Sequence, residues 1–236
     1  MTVALAVAAV VLDVEGTTAP IAFVHDVLFP YAAARLDEFV AARGAEPAVA
    51  AALATLAAER AADREVAAPD LIAYARALMA RDRKSTGLKA LQGLIWHDGY
   101  LAGALRGELY ADVGPAFVAW RAAGVTIASY SSGSIAAQRL IYAHSDRGDL
   151  TAHLAAYFDT TTGPKQAPAS YAAIATALAL PPAPIAFVSD VVAELAAAAA
   201  AGMHAVLSVR PGNAPVAPGH GYPTIGTLDE LALRPA

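Results

Sequence analysis

Two acidic side chains stand on alternate positions near the N-terminus, where Asp13 and Glu15 follow a short apolar run. Gly16 comes next and allows the backbone to turn sharply at the end of a strand. Two carboxylates with this spacing can bind a divalent cation, or one can act as a nucleophile while the other transfers protons. An exposed turn at a strand end would use the same residue types, so this segment alone leaves a functional and a structural interpretation open.

Hydroxyl groups and a glycine follow a second apolar run, in the segment Ser131, Ser132, Gly133 and Ser134. At the N-terminus of a helix, serine hydroxyls and backbone N–H groups can hold a phosphate, and the helix dipole adds to the attraction. Serine is also a common N-cap residue of helices. The segment therefore predicts either a phosphate-binding loop or an ordinary helix cap.

Three further charged residues occur at similar places. Lys165 lies in a Thr-Gly-Pro-Lys turn before a helix, and Asp190 and Glu194 follow a third apolar run. Near phosphate and carboxylates, Lys165 would neutralise negative charge and hold a nucleophile. Asp190 could bind a metal ion, while Glu194, one helical turn later, could hold Lys165. The structural alternatives are a surface lysine, and a helix cap at Asp190 with Glu194 on the outer face of the helix.

Buried strands must position these groups, and four apolar runs predict them. Each run is short and ends in polar or glycine residues, which is typical of parallel strands. Helices are predicted between the strands, and this alternation indicates an α/β fold, an open parallel sheet with helices on both faces. Ligands of such sheets bind beyond the carboxyl ends of the strands, where Asp13, Ser131 and Asp190 lie. The predicted strands are Ala6–Leu12, Val125–Tyr130, Ile185–Val188 and Ala205–Val209.

Between the first two predicted strands lies a long stretch without a strand pattern. It predicts a helical cap, inserted after the first strand and folded over the first loop. We therefore expect a core at residues 1–20 and 100–236 and a cap insert at residues 21–99. Near the C-terminus, a Pro/Gly-rich loop and a last short helix, Leu228–Leu233, are predicted. The helices predicted in the insert are Phe23–Ala42, Pro47–Ala62 and Pro69–Arg81.

The composition restricts the class of protein. Of the 236 residues, 57% are hydrophobic and 16% are charged, and the mean hydropathy is +0.47. Alanine causes this high average, and no apolar run reaches the ~20 residues of a membrane-spanning helix. The net charge of −5 comes without a basic patch, which argues against a nucleic-acid partner. Cysteine is absent, which excludes disulfides and thiolate catalysis. No signal peptide is recognisable, so a cytoplasmic protein is expected.

The order of these groups along the chain, an Asp, a Ser, a Lys and an Asp, resembles the haloacid dehalogenase superfamily of phosphotransferases. Glu15 stands where most phosphatases of that superfamily carry Asp and where its dehalogenases carry an aromatic residue, so dehalogenation is disfavoured. Longer strings resemble the acireductone synthase family, the bifunctional enolase-phosphatases of methionine salvage. These strings are Glu15–Val24, Asp26–Tyr31, Leu88–Gly93, Ile95–Trp96, Tyr130–Ser134, His144–Ser145, Gly148–Leu150, Tyr157–Thr160, Ser189–Asp190 and Val209–Asn213.

The resemblance implies a haloacid dehalogenase-like fold and a role for each motif residue. Asp13 would attack phosphorus and form an aspartyl-phosphate, with one Mg²⁺ per subunit bridging the nucleophile and the phosphate. Asp13, Glu15 and Lys165 are the implied catalytic residues. Asp13, Glu15 and Asp190 are the implied metal ligands. The implied phosphate-binding residues are Ser131, Ser132, Gly133 and Lys165.

The resemblance also implies the substrate, a phosphorylated diketone named 2,3-diketo-5-methylthiopentyl-1-phosphate. The family enolises it and then removes phosphate to give the acireductone 1,2-dihydroxy-3-keto-5-methylthiopentene. The enolisation base stays open between Glu15 and an insert lysine, Lys84 or Lys89, whereas His97 is interpreted as structural. Aromatic residues of the insert either bury the methylthio tail of the substrate or form the core of the insert itself. These aromatic residues are Phe23, Phe29, Tyr31 and Trp96.

Two other functions stay open on the sequence. An Mg²⁺-dependent phosphatase of another small phosphate ester would share every core motif and differ in the insert. A catalytically inactive binding module would have no need of an intact Asp13, Lys165 and Asp190. We expect a monomer that acts on a small molecule, without a nucleic-acid or membrane partner.

Overall fold

The computed structural model describes residues 2–81, 83 and 85–236. The chain forms two compact units by the density of its internal contacts. The core unit comprises Met1–Phe23 and Arg106–Ala236, and the insert unit comprises Val24–Leu105. The placement of the insert as a cap over the first loop stays a prediction.

The insert unit is entirely helical in the part of the chain that is described. Its helices are a π-helical segment, Phe23–Leu28, which begins in the core unit, and then α1 (Phe29–Arg43), α2 (Pro47–Ala62), α3 (Leu71–Ala80) and α4 (Thr86–Leu101). The three predicted helices cover the π-helical segment together with α1, then α2, and then α3. Helix α4 was not predicted, because its glycines disfavour a helix locally. Packing explains one of these glycines, because a Cβ on Gly87 would collide with the Leu56 backbone of α2. Tertiary contact thus selects a helix that local preference does not predict.

The aromatic residues of the insert unit pack against one another and against its backbone. Phe29 and Trp96 stack with their ring centroids 6.2 Å apart, and Trp96 Nε1 donates to Leu28 O at 2.7 Å. The guanidinium of Arg35 lies 3.7 Å from the centre of the Tyr31 ring. These contacts support core packing of the insert unit for Phe29, Tyr31 and Trp96.

The core unit contains a parallel sheet of six strands in the order β4-β3-β2-β5-β6-β7. A separate parallel pair joins β1 and β8. Strand β2 is one of the two middle strands of the large sheet and lies between β3 and β5. The strands are β1 (Val3–Ala6), β2 (Ala9–Leu12), β3 (Thr126–Tyr130), β4 (Leu154–Phe158), β5 (Ile185–Ser189), β6 (His204–Ser208), β7 (Thr224–Ile225) and β8 (Leu231–Arg234).

Helices cover both faces of this sheet, as predicted. Side chains alternate between faces along a strand, and Ala9 and Val11 of β2 pack in one buried cluster with Tyr171 and Leu195. On the other side, α5 packs against β3 and α6 against β4. The helices of the core unit are α5 (Val113–Ala122), α6 (Ile135–Ala143), α7 (Pro168–Ala177) and α8 (Val192–Ala200).

Two local predictions were wrong, and one strand of the large sheet was not predicted. The predicted strand Ala6–Leu12 is two strands, β1 and β2. The predicted helix Leu228–Leu233 is a 3₁₀ turn, Leu228–Glu230, followed by β8, in which alternate leucines are buried with the period of a strand. Strand β4 was not predicted, because its sequence, LAAYF, carries two alanines and no β-branched residue.

Within the described residues, no single helix is long and apolar enough to cross a membrane. One pair of helices, Phe23–Arg43 and Pro47–Ala62, meets the length and composition criteria together, with a bend of 117° between them.

Candidate active site

The carboxyl ends of three neighbouring strands bring predicted site residues to one edge of the core sheet. Leu12 at the end of β2 lies opposite Ser129 of β3 and Val188 of β5. Asp13 continues this alignment, since its backbone N–H donates to Val188 O at 3.0 Å. Residues that follow the ends of adjacent strands, which lie about 4.8 Å apart, are therefore neighbours in space.

Asp13 is the centre of a buried network of charges. Lys165 Nζ lies 2.7 Å from Asp13 Oδ1 and 2.7 Å from Glu194 Oε2, and none of the three side chains is more than 10% exposed. Ser189 Oγ lies 3.2 Å from Asp13 Oδ2 and 3.0 Å from Glu194 Oε2. Lys165 is therefore not a surface lysine, and Glu194 does not lie on the outer face of its helix. We call Asp13, Lys165, Ser189 and Glu194 the Asp13 network.

Burial and charge act in opposite directions on Lys165. Removal from water lowers the pKa of the ammonium group, but the carboxylates of Asp13 and Glu194 outweigh this effect and leave the pKa of Lys165 above its usual value. Burial, and then the charge of Asp13, raise the pKa of Glu194, which Lys165 opposes. Lys165 is thus held as a cation against Asp13, where it can neutralise part of the charge of a bound phosphate.

Asp190 follows β5 at the same edge of the sheet and is half-buried. Burial, and then the charge of Asp13, raise the pKa of Asp190 to about 7. The Asp190 side chain is not the cap of α8, because Val191 is the N-cap residue and this N-terminus has no side-chain cap hydrogen bond. Two carboxylates that repel each other in this way favour a cation beside them.

Glu15 lies two residues beyond Asp13 and is half-buried. In the described residues, no group of three or more His, Asp or Glu side chains is arranged to hold a metal ion. The ligand set Asp13, Glu15 and Asp190 therefore stays a prediction. Mg²⁺ does not require a site of three carboxylates, because it is usually bound by one or two carboxylates together with water and substrate phosphate.

The serine segment separates into a helix cap and a loop. Ser134 Oγ accepts a backbone N–H of the first turn of α6 at 3.2 Å, so Ser134 is the cap. Ser131 is 2% exposed, and its Oγ accepts the Gly133 N–H at 2.9 Å. The Ser131 N–H donates to Phe158 O at 3.2 Å, and Ser132 is half-buried. The cap interpretation thus applies to Ser134 and not to Ser131.

Two residues from the segment after β6, the buried Arg210 and the half-buried Asn213, support the turn that follows Asp13, and neither was assigned a role from the sequence. Arg210 Nη2 lies 2.8 Å from Asp112 Oδ2, and Arg210 Nε donates to Thr17 O at 3.0 Å. Asn213 Nδ2 donates to Gly16 O at 2.9 Å. Their signal in the sequence is their position just beyond the carboxyl end of β6. Ser189, as the last residue of β5, lies at the same edge of the sheet.

The candidates for an enolisation base lie on both units. Glu15 is in the core unit, and Lys89 is half-buried on α4 of the insert unit. Lys84 lies outside the described residues. His97 has a 53% exposed side chain, with Nδ1 3.6 Å from Asp98 Oδ1. The identity of the base stays a prediction.

The turn after Asp13 requires glycine at position 16. Gly16 has φ +71°, and a Cβ there would lie 2.5 Å from Asp190 Oδ2. The N–H groups of Thr18 and Ala19 donate to Val14 O and close the turn. The Gly16 backbone therefore sits directly against the Asp190 carboxylate.

We expect Gly16→Ala to lower both stability and activity. A left-handed backbone costs a non-glycine residue about 1–2 kcal/mol, and the new methyl group would also displace Asp190. Gly124→Ala is the matched control, since Gly124 has φ +80° and a Cβ there would meet nothing within 4 Å. Urea unfolding and a phosphatase assay should show similar backbone strain in both variants and loss of activity only in Gly16→Ala. Equal activity in the two variants would contradict the assigned contact.

Known proteins of similar sequence show the family of this chain. A family model for haloacid dehalogenase-like hydrolases matches residues 7–202. Enolase-phosphatase E1 of Synechococcus elongatus is 49% identical over 239 residues, which covers 98% of this chain and 100% of that protein. The chain belongs to the enolase-phosphatase E1 family of haloacid dehalogenase-like hydrolases. Enolase-phosphatase E1 of Acidiphilium cryptum is another relative, 51% identical over 223 residues, with 94% of this chain and 93% of that protein covered.

A solved structure has a similar fold. The crystal structure of the UTR4 protein from Saccharomyces cerevisiae matches with a TM-score of 0.78 and 32% identity, covering 94% of this chain and 98% of that one. This chain and the UTR4 protein therefore share their fold over nearly their whole lengths.

Proposed function

We propose that this protein is an Mg²⁺-dependent enolase-phosphatase that converts 2,3-diketo-5-methylthiopentyl-1-phosphate into the acireductone and phosphate, in methionine salvage. The observation that carries the proposal is the buried Asp13 carboxylate, held 2.7 Å from Lys165 at the sheet edge of a chain about half identical to enolase-phosphatases E1. The match to haloacid dehalogenase-like hydrolases and the relatives named enolase-phosphatase E1 support a reaction that releases phosphate. The specific substrate and each residue's role belong to the proposal.

In the phosphatase step, Asp13 supplies the nucleophilic oxygen. It attacks phosphorus in line with the ester oxygen, the P–O bond to the substrate breaks, and an aspartyl-phosphate forms on Asp13. Lys165 and Ser131 would hold the phosphate oxygens, with Ser132 and Gly133 beside them. Glu15 would give a proton to the leaving enolate oxygen and then take one from the water that releases phosphate from Asp13.

Asp13 and Asp190 would hold the Mg²⁺, with Glu15 as the third predicted ligand. Burial, and then the negative charge of Asp13, raise the pKa of Asp190, and a cation at this place would stabilise its charged form. When bound, Mg²⁺ would neutralise phosphate charge and polarise the carbonyl oxygen of the diketone.

Enolisation removes a proton from the phosphate-bearing carbon, which lies next to a ketone, and moves the electron pair to the carbonyl oxygen. Glu15 is the candidate base of the core unit. A lysine of the insert is the alternative. A buried, water-excluded site would favour this step, because it stabilises the enolate and strengthens its electrostatic contacts.

Product analysis tests the proposal directly. With the diketo phosphate and Mg²⁺, the protein should release phosphate and produce the ultraviolet absorption of an enediol. Sugar phosphates are the control substrates. Phosphate release from sugar phosphates, without turnover of the diketo phosphate, would favour a phosphatase of another small ester.

The monomeric state, the cytoplasmic location, and the absence of nucleic-acid or membrane partners also stay proposals.

Removal of the Asp190 charge should stabilise the metal-free protein and abolish its response to Mg²⁺. The folded-state pKa of about 7 exceeds the usual value of ~3.9 for Asp. Between these values the folded protein retains a proton that the unfolded chain has lost, so the Asp190 carboxyl reduces stability as the pH rises through this window. We therefore expect metal-free Asp190→Asn to melt at a higher temperature than the wild type at pH ~8, with a smaller difference at pH ~5.

The measurement is thermal unfolding in EDTA and then in excess MgCl₂. Mg²⁺ should raise the Tm of the wild type and leave that of Asp190→Asn unchanged. If Asp190→Asn is less stable than the wild type at both pH values in EDTA, the assigned environment of Asp190 is wrong.

A further inference from the structure

Asn213 is the only asparagine in the sequence, and it lies in the irregular segment that follows β6. Its Nδ2 donates to Gly16 O at 2.9 Å and lies 3.4 Å from Ser208 O. Both partners are carbonyl oxygens, which can only accept. They determine the orientation of the amide, because the opposite orientation would place Oδ1 against two acceptors.

The other end of this amide has no partner. Asn213 Oδ1 is shielded from solvent, and nothing in the described chain donates a hydrogen bond to it. A buried carbonyl oxygen without a donor is unfavourable, and native proteins rarely retain one without a reason. A donor from outside the chain is the simplest explanation for an acceptor in this position.

The direction of Asn213 Oδ1 indicates where that donor would lie. A Cβ built on Gly16 would be 3.0 Å from Asn213 Oδ1 and 2.5 Å from Asp190 Oδ2. Two oxygen acceptors on different segments therefore face the same small space over Gly16. Only a hydrogen-bond donor or a cation with its water can interact favourably with both oxygens.

We propose that Asn213 is a positioning residue of the Mg²⁺ site, and that its Oδ1 accepts a hydrogen bond from water in the hydration shell of the ion. This inference rests on the proposed function, which places Mg²⁺ on Asp13 and Asp190. Mg²⁺ gives up its water reluctantly and usually keeps several water molecules in protein sites, so a donor is available. Such outer partners orient a metal site without touching the ion.

The amide has two tasks, which different variants can separate. Its Nδ2 supports the turn at Gly16, and its Oδ1 faces the proposed ion. Asn213→Ala removes both interactions. Ser208→Ala is the matched control, because Ser208 Oγ also donates to Gly16 O, at 3.3 Å, and its removal leaves Asn213 Oδ1 in place.

The first experiment measures the affinity of the full-length, metal-stripped protein for Mn²⁺, from the loss of the free-ion signal in electron paramagnetic resonance. Mn²⁺ prefers the same oxygen ligands as Mg²⁺. We expect Asn213→Ala to weaken Mn²⁺ binding by about 10- to 100-fold, as loss of an outer partner typically does, and Ser208→Ala to leave it within about twofold. Equal weakening in both variants, or unchanged binding in Asn213→Ala, would overturn the proposal.

The second experiment uses the wild-type protein, so its outcome does not depend on whether a variant folds. Selective labelling with ¹⁵N-asparagine gives signals from Asn213 alone, because the chain has no other asparagine. The two side-chain N–H signals should shift with MgCl₂ and saturate together with the rise in Tm. Side-chain signals that stay in place while Mg²⁺ raises the Tm would overturn the role of Asn213 and leave the proposed function intact. If Mg²⁺ and Mn²⁺ do not bind at all, the metal site of the proposed function fails as well.

Discussion

Asp13→Asn should abolish phosphate release while the protein stays folded. The amide has nearly the same shape as the carboxylate but is a poor nucleophile, so no aspartyl-phosphate can form. Loss of a nucleophile that works with its neighbours as one unit reduces kcat by ~10⁴-fold or more. The network around the residue remains, since Lys165 keeps its ion pair with Glu194 at 2.7 Å.

Phosphate release in single-turnover experiments measures this effect, and circular dichroism with thermal unfolding checks the fold. Asp229→Asn is the matched control, because it makes the same chemical change at an exposed position outside the site. It should have wild-type activity. Asp13→Asn with more than a few per cent of wild-type activity would contradict the assignment of the nucleophile.

The replacement of Lys165 by methionine should cause the largest loss of stability among single substitutions at the site. Lys165 is buried between two carboxylates, and methionine would leave Asp13 and Glu194 as neighbouring negative charges without the cation between them. Removal of one partner from a buried ion pair destabilises a protein by about 3–5 kcal/mol. The activity of Lys165→Met should fall by at least ~10²-fold, because the cation beside the phosphate is lost.

A second substitution separates the structural effect from the chemical one. Lys165→Met combined with Glu194→Gln removes one positive and one negative charge, so the network returns to its original net charge. We expect urea unfolding to show that the double variant regains much of the lost stability, while phosphate release stays as low as in Lys165→Met. If the double variant regains activity, Lys165 acts only by balancing Glu194.

The sequence was sufficient to predict the overall organisation of the core. Short apolar runs that end in polar residues predict parallel strands, and the structure has β3, β5 and β6 close to the predicted positions. The carboxyl ends of parallel strands share one edge of the sheet, so the grouping of Asp13, Ser131 and Asp190 followed from local pattern alone. Three elements were not predicted from local pattern. Alanines weaken the strand signal of β4, glycines weaken the helix signal of α4, and a helix-like capping box precedes strand β8.

The sequence by itself determined the parallel α/β core, the sheet edge at which chemistry can occur, and the family to which the chain belongs, since these depend on local periodicity and on strings of adjacent residues. Only the tertiary structure decided which partners these residues have. Ser189 reaches Asp13 across 176 positions, and Asn213 reaches Gly16 across 197. Hydrogen bonds and ion pairs depend on distances of about 3 Å between atoms. Such distances are set by the packing of strands and loops that are remote in sequence, and no local pattern specifies them.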